Sequence, residues 1–293
     1  MASSANNIVI SPVNVLWRIE ANHQIAMVAD VAASLDGKYF TLMGTHYVWF
    51  NETTASAADP APAGLTAIEI AYTTGATAAA LAILVQTAVD LVADFNATVS
   101  TATVDIFAAA VGVKADSADV DAGISVTICR RGKNFDLGIL EGDVELSPTF
   151  SNLIVKAHQT GVTPRAALFQ GIDALEVTTT MQETQNSNLS QIYGLYGTES
   201  FIPSAGESVF GVGTSKQGQN LLVDAARLTL KDVNAVDDSL NRTLMLAIPV
   251  PGTLLFSGEA QRTLDITWQG FLDDSKNSQI SGLLFGDEQQ TGL

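Results

Sequence analysis

The side chains best suited to chemistry in this chain are three histidines and one cysteine, and their spacing favours no reactive site. His23, His46 and His158 lie far apart, and none has a second His or Cys at the spacing of a zinc site. Cys129 precedes two arginines, whose charges would lower the pKa of its thiol, but a lone thiol is more often structural than nucleophilic. As the only cysteine, it also excludes an intrachain disulfide framework.

Two other segments have the residue types of a binding site without its spacing. Residues 211–216 read GVGTSK and lack the Gly-Lys-Ser/Thr order of a phosphate-binding loop. Asp116, Asp119 and Asp121 are not spaced as calcium ligands around a turn glycine, which predicts a solvated acidic loop. No Gly-x-Ser-x-Gly elbow supports a hydrolase. The sequence therefore predicts no enzyme, no metal and no cofactor, although a β-rich enzyme or carbohydrate-binding module with acidic loops stays an alternative.

The composition is that of an acidic protein with enough apolar residues for a large core. The chain has 293 residues, 47% of them hydrophobic, and a formal net charge of −17. Tight binding to nucleic-acid phosphates needs Lys and Arg to replace counterions, so it is disfavoured. The N-terminus has no basic region before an apolar core, so no secretory signal is expected. The most apolar window, residues 76–93, is rich in Ala and Thr and contains Gln86 and Asp90, which predicts a buried helix and not a membrane span.

An alternation of acidic and apolar residues marks the stretch that we expect to organise the fold. Side chains of a strand alternate between the two faces of a sheet. In segment 140–147 one face would carry Glu141, Asp143, Glu145 and Ser147, and the other Leu140, Gly142, Val144 and Leu146. Pro148 has no backbone donor and is expected to end this strand. Residues 152–157 and 172–180 have the pattern of two further strands, so three consecutive antiparallel strands are predicted.

The same stretch carries a resemblance to a known family. Residues 137–146 read LGILEGDVEL, residues 159–165 read QTGVTPR, and residues 266–287 read ITWQGFLDDSKNSQISGLLFGD. This order of motifs resembles bacteriophage tail tube proteins, the subunits that stack as rings around the DNA channel of a long phage tail. The resemblance implies a mainly β fold, a β-sandwich or partly closed barrel, in a structural virion protein that forms stacked hexameric rings. A ring protein of a contractile injection system is a related alternative.

A shift in composition divides the chain. Residues 35–130 are rich in Ala, Thr and Asp and contain the predicted helix 76–93 among short strands, which indicates a small α/β module. We therefore expect a tail-tube β domain from residues 1–34 and 131–293, with an inserted α/β domain at 35–130 projecting outward. A short helix at 184–193, a loop at 201–219, and strands at 226–231, 244–250 and 263–271 complete the second part.

The resemblance also assigns expected surfaces. We expect Glu141, Asp143 and Glu145 to line the lumen, because an acidic wall would repel DNA phosphates. The alternative wall is Thr178, Thr180 and Gln182 on a later strand. The N-terminal segment and loop 201–219 are the expected ring-to-ring contacts.

The resemblance also implies partners and a location. The partners are further copies of the chain, a tape measure, a baseplate or tail terminator, and a sheath if the tail is contractile. The location is a virion that is assembled in the host cytoplasm without a membrane. DNA would pass without specific binding.

Overall fold

A computed structural model describes residues 12–156, 164–182, 184–201, 209–214, 216–233, 238–256, 262–275 and 281–286. These residues are mainly β and contain two α-helices, and the mainly β fold was expected from the alternating patterns. The first nine strands are β1 Val13–Ile19, β2 Asn22–Ala26, β3 Tyr39–Leu42, β4 His46–Glu52, β5 Thr66–Tyr72, β6 Phe95–Ser100, β7 Thr103–Ala108, β8 Ala118–Asp119 and β9 Ser125–Arg130. The others are β10 Lys133–Asp136, β11 Leu140–Lys156, β12 Pro164–Met181, β13 Thr198–Phe201, β14 Val209–Val212, β15 Ala226–Asp232, β16 Arg242–Leu255, β17 Thr263–Phe271 and β18 Leu283–Phe285. The helices are α1 Ala78–Asp90 and α2 Asn186–Tyr193.

The chain forms two compact units. The first comprises Met1–Trp17 with Phe135–Leu293, and the second comprises Arg18–Asn134. These limits differ from the expected 34/35 and 130/131 because β2 pairs with β7 and β9, which belong to the second unit. The chain up to Trp17, which includes most of β1, therefore belongs to the first unit, and β2 belongs to the second.

The first unit is a strongly curled sheet. Its strands follow the order β10-β1-β15-β16-β17-β12-β11, with β18 paired to β16. Trp17 on β1 and Trp268 on β17 lie three strands apart in this order, yet their ring centroids are 5.6 Å apart. Both rings are fully buried. The sheet thus wraps around its own apolar face as a partly closed barrel, one of the two mainly β forms expected for this part of the chain.

The strands β11 and β12 form one long hairpin where three strands were expected. They contain 17 and 18 residues, and Pro148 lies within β11, opposite Leu175. The prediction that Pro148 ends the strand is wrong, because β11 is the last strand of the described sheet and pairs on one side only. An edge strand tolerates proline where its missing N–H would point away from the partner.

The second unit packs α1 with two four-stranded sheets. Their orders are β6-β7-β2-β9 and β5-β4-β3-β8, with β4 and β5 parallel. The helix begins after Thr77, whose side chain accepts the N–H of Ala80, and it buries Leu81, Val85 and Val89. The predicted helix and the strands around it are confirmed. No helix in the described ranges is long and apolar enough to cross a membrane.

A buried carboxylate holds loops of this unit together. Glu52 accepts backbone N–H groups of Ala55, Thr54 and Thr74. These hydrogen bonds outweigh the effect of burial and lower the pKa of Glu52 to about 2, and the bond from Ala55 has the largest effect. The residue is therefore ionised while almost inaccessible to solvent.

The rest of the first unit follows the sequence expectation with one correction. The short helix α2 buries Leu189 and Ile192, as its pattern predicts. Segment 201–219 is not simply a loop, because β13 and β14 pair antiparallel there. Within that segment, residues 202–208 and 215 lie outside the described residues, as does the N-terminal segment 1–11.

Candidate functional site: a polar face of three strands

Cross-strand pairing brings nine polar side chains onto one face of the barrel sheet. On β12, Glu176, Thr178 and Thr180 alternate with buried Leu175, Val177 and Thr179. The registers of β11 and β17 against β12 then define three rows of directly paired residues: Glu141–Thr180–Asp265, Glu145–Thr178–Thr267 and Ser147–Glu176–Gln269. We call these nine residues the polar face. Because paired strands lie about 4.8 Å apart, the face is roughly 10 Å wide across its three strands.

The polar face is acidic and its charges are spaced. It carries four carboxylates, on Glu141, Glu145, Glu176 and Asp265, and no Lys or Arg. No two of these carboxylates are directly paired, since a Thr, Ser or Gln stands opposite each one. Like charges placed directly opposite would destabilise a sheet. The arrangement therefore gives a negative surface at little cost to the fold.

Hydroxyl groups link part of the polar face. The Thr180 hydroxyl donates to Asp265 Oδ1 over 2.9 Å, and the Ser147 hydroxyl donates to Glu145 Oε1 over 3.1 Å. Glu141, Glu145 and Asp265 remain solvent-exposed. The face can thus present hydrated carboxylates and hydroxyls to a passing molecule, with no group arranged to bind a phosphate.

The reverse side of the same strands anchors the polar face. Trp268 Nε1 donates to the hydroxyl of Thr179 over 3.0 Å, and both side chains are buried. Trp17 Nε1 donates to the carbonyl of Ala247 over 3.1 Å. Both bonds satisfy indole donors inside the barrel, and the bond from Trp268 joins β17 to β12, two of the three strands that carry the face.

Of the three residues predicted for the lumen, two share the polar face and the third lies in a bulge. Between the pairs Glu141–Thr180 and Glu145–Thr178, four steps on β11 match two on β12. Gly142 adopts a left-handed φ of 72° within this bulge, and Asp143 has no paired residue on β12. Asp143 is exposed and, with Val144, lines a cleft of about 790 Å³ that reaches Val13.

The two alternative walls are largely one surface. Thr178 and Thr180 are the cross-strand partners of Glu145 and Glu141, so the sequence-based alternatives coincide there. Gln182 lies just beyond the paired part of β12, and its N–H donates to the carbonyl of Ile139. Glu176, Asp265 and Gln269 were not predicted for this site. Alternation along β17 indicated the outward side of Asp265 and Gln269, but only the register shows that β11, β12 and β17 are neighbours.

The other candidate groups from the sequence are held by local structure. Burial raises the pKa of the Cys129 thiol despite the neighbouring Arg130, which overturns the expected lowering. His23 is buried with Nδ1 2.6 Å from the Ser117 hydroxyl, and burial lowers the pKa of its ring. Lys216 of the GVGTSK segment pairs with Asp224 at 2.8 Å.

The three clustered aspartates point to different partners. Asp116 pairs with Arg131, Asp121 pairs with Lys38, and Asp119 accepts backbone N–H groups of the following turn. Among the residues with described positions, no group of three or more His, Cys, Asp or Glu could hold a metal ion.

No protein-family model matches the chain, and no curated protein matches its sequence.

Proposed function

We propose that this chain is the structural subunit of a bacteriophage tail tube, assembling into stacked six-subunit rings that conduct DNA into the host. The observation that carries the proposal is the polar face, with four carboxylates, several hydroxyls and no cation on one exposed side of a barrel sheet. The motif resemblance supports the family, and the partly closed barrel supports the type of fold.

The charge of the polar face suits the wall of a DNA channel. Lys and Arg would bind phosphates and retain the genome, whereas carboxylates repel it and hydroxyls keep the wall hydrated. Each subunit carries −17, so a ring of six carries about −102, most of it on solvent-facing surfaces. A channel lined by Glu141, Glu145 and their threonine partners would let DNA slide.

The sheet edges offer a way to close a ring. In the described sheet of the first unit the terminal strands are β10 and β11, and only three residues separate them in the chain, so they lie close together. Exposed strand edges bind further strands readily, so the outer edge of β11 could pair with a strand of the next copy and close a ring when the rotation is right. In such a ring the edge strand β11, with Glu141 and Glu145, would lie at the subunit boundary beside the channel. The expected tail partners and virion location follow from this assembly.

A carbohydrate-binding module is the less favoured candidate. Modules of that kind hold sugars on aromatic platforms, and the nine residues of the polar face include no aromatic side chain. A hydrated acidic surface without an aromatic platform is better suited to a channel wall that does not bind passing molecules than to a sugar-binding site.

Charge reversal on the polar face tests the proposal. In tails assembled with Glu141→Lys and Glu145→Lys, DNA ejection should slow or stop at low salt and recover as salt screens the new attraction. The matched control reverses Glu69 and Asp94, two exposed carboxylates of the second unit, which changes the net charge equally. Normal ejection at low salt from correctly assembled double-lysine tails would refute a channel wall at this face, as would equal slowing by the control.

A further inference from the structure

The far half of the β11–β12 hairpin extends beyond the rest of the described sheet. Strand β12 pairs with β17 only over residues 176–181. Residues 150–156 and 164–172 pair with each other and with no third described strand. We call this two-stranded part the arm. An isolated two-stranded ribbon is marginally stable in water, so the arm needs a surface to pack against.

Both sides of the arm expose apolar side chains, and one side carries an aromatic pair. Phe150 pairs with Ile172, and after a register shift Asn152 pairs with Phe169 and Ile154 with Ala167. The rings of Phe150 and Phe169 lie 6.2 Å apart, which places them on the same side. The four large apolar side chains of this side are between 39% and 65% exposed: Phe150, Ile154, Phe169 and Ile172. We call these four residues the apolar arm face.

The apolar arm face continues the buried side of β11. Leu146 and Pro148 pair with buried Val177 and Leu175, and Phe150 follows them on the same side of the strand. The side of β11 that faces the core thus stays apolar in the arm, where no core covers it. Contiguous exposed apolar side chains of this kind are typical of interaction sites when the patch is large.

The arm differs in charge from the rest of the chain. Residues 146–172 form the longest run without Asp or Glu, and the run includes Lys156 and Arg165. The remaining residues contain 12 Lys and Arg against 31 Asp and Glu, a net charge of −19. A surface complementary to the arm is therefore acidic with apolar contacts, and the body of this same chain has that character.

We infer that the apolar arm face docks on the acidic body of a second copy of this chain. An anionic membrane would also attract a cationic, apolar hairpin, but the strongly negative body would oppose its approach, and a second copy offers attraction without that repulsion. The contact is heterologous, because an arm meets a body, so it repeats from copy to copy and builds a ring or a filament.

This inference rests on the arm and not on the polar face, and it adds to the proposed tube the element that joins one copy to the next. Four partly exposed side chains make less than a standard interface of about 800 Å² per partner, so the arm acts with other contacts between copies. Its aromatic pair is the expected anchor, since aromatic side chains dominate interface energetics.

Two matched double variants test the inference in the full chain. Phe150→Ser with Phe169→Ser removes the anchor from the apolar arm face. Leu153→Ser with Leu168→Ser removes a directly paired apolar couple from the opposite side of the arm, 48% and 54% exposed. Sedimentation velocity over a wide range of protein concentration measures self-association of each variant, and far-ultraviolet circular dichroism checks its folding.

The Phe variant should associate about a hundredfold more weakly than the wild type, and the Leu variant should associate within a few-fold of it. The rate of association of the wild type should also fall with added sodium chloride, because the arm and body attract electrostatically. Equal weakening by both variants, or none by the Phe variant, would overturn the assignment of this face.

Further outcomes separate the inference from the proposed function. Rings that form in the Phe variant as readily as in the wild type would overturn the inference and leave the tube proposal standing. Phe-dependent oligomers of the wild type that are not rings would support the arm contact and count against the tube. A wild type that stays monomeric, with Phe-dependent binding to anionic phospholipid vesicles, would overturn the inference in favour of a lipid surface.

Discussion

Replacing the hydroxyl of one threonine tests which side of β12 faces the core. Thr179 is 3% exposed and accepts the indole N–H of Trp268, which is fully buried, over 3.0 Å. Thr179→Val keeps the shape of the side chain but leaves Trp268 Nε1 without this acceptor. A buried donor that loses its acceptor costs about 1–3 kcal/mol, so we expect the unfolding free energy of the first unit to fall by that amount.

The neighbouring residue supplies the control. Thr178→Val makes the same substitution on the polar face, where the side chain is exposed and pairs with Glu145 and Thr267. Surface substitutions of this kind change stability by about 0.5 kcal/mol or less. The difference between the two variants reports directly on the orientation of the strand.

Denaturant unfolding followed by tryptophan fluorescence measures this difference. A Trp49→Phe background removes the tryptophan of the second unit, so that Trp17 and Trp268 report on the first. In a Trp268→Phe background Thr179→Val should lose most of its cost, because the indole donor is gone. Equal costs for the two threonine variants, or a larger cost for Thr178→Val, would refute the register, since a slip of one residue exchanges the faces of a strand.

Two further predictions concern one position in each unit. Hydrogen bonds from backbone N–H groups, of which that of Ala55 has the largest effect, lower the folded-state pKa of Glu52 to about 2, so its contribution to stability is present above pH 4.5 and is lost as the pH falls towards 2. The Glu52→Gln variant should therefore unfold more easily at neutral pH and its stability should depend less on pH between 4.5 and 2, and a pH profile identical to that of the wild type would contradict this. The Gly270→Ala variant would place a Cβ 2.7 Å from the Cβ of Leu175, so its unfolding free energy should fall by about 1–3 kcal/mol in a denaturant titration. In the Gly213→Ala variant the nearest atom to the new Cβ is the carbonyl oxygen of Gly197 at 3.6 Å, so the loss should be smaller. Equal stability of the two variants would contradict the packing around Gly270.

The strands were predictable where one pattern dominates the sequence. The predicted strands at 172–180 and 263–271 lie within β12 and β17, because one buried face imposes a period of two on the sequence. The helix α1 followed from its apolar stripe. These features depend on neighbours in sequence, so the sequence alone carries them.

The long hairpin and the polar face depend on which strands are neighbours in space. Pro148 breaks a central strand but not an edge strand, and the edge position of β11 is a property of the sheet order. In the same way, Gly142 permits a bulge that removes Asp143 from the row of Glu141 and Glu145. Glu176 and Asp265 join the site only through the register of β11, β12 and β17.

Electron microscopy of the assembled protein shows whether the chain forms a tube and which residues line its channel. At high protein concentration, or in tails purified from lysate, we expect hollow tubes of stacked six-fold rings. A reconstruction should place Glu141 and Glu145, with Thr178 and Thr180, on the channel wall. Tubes whose channel is lined by another part of the chain, or a protein that forms no rings at any concentration, would contradict the proposed function.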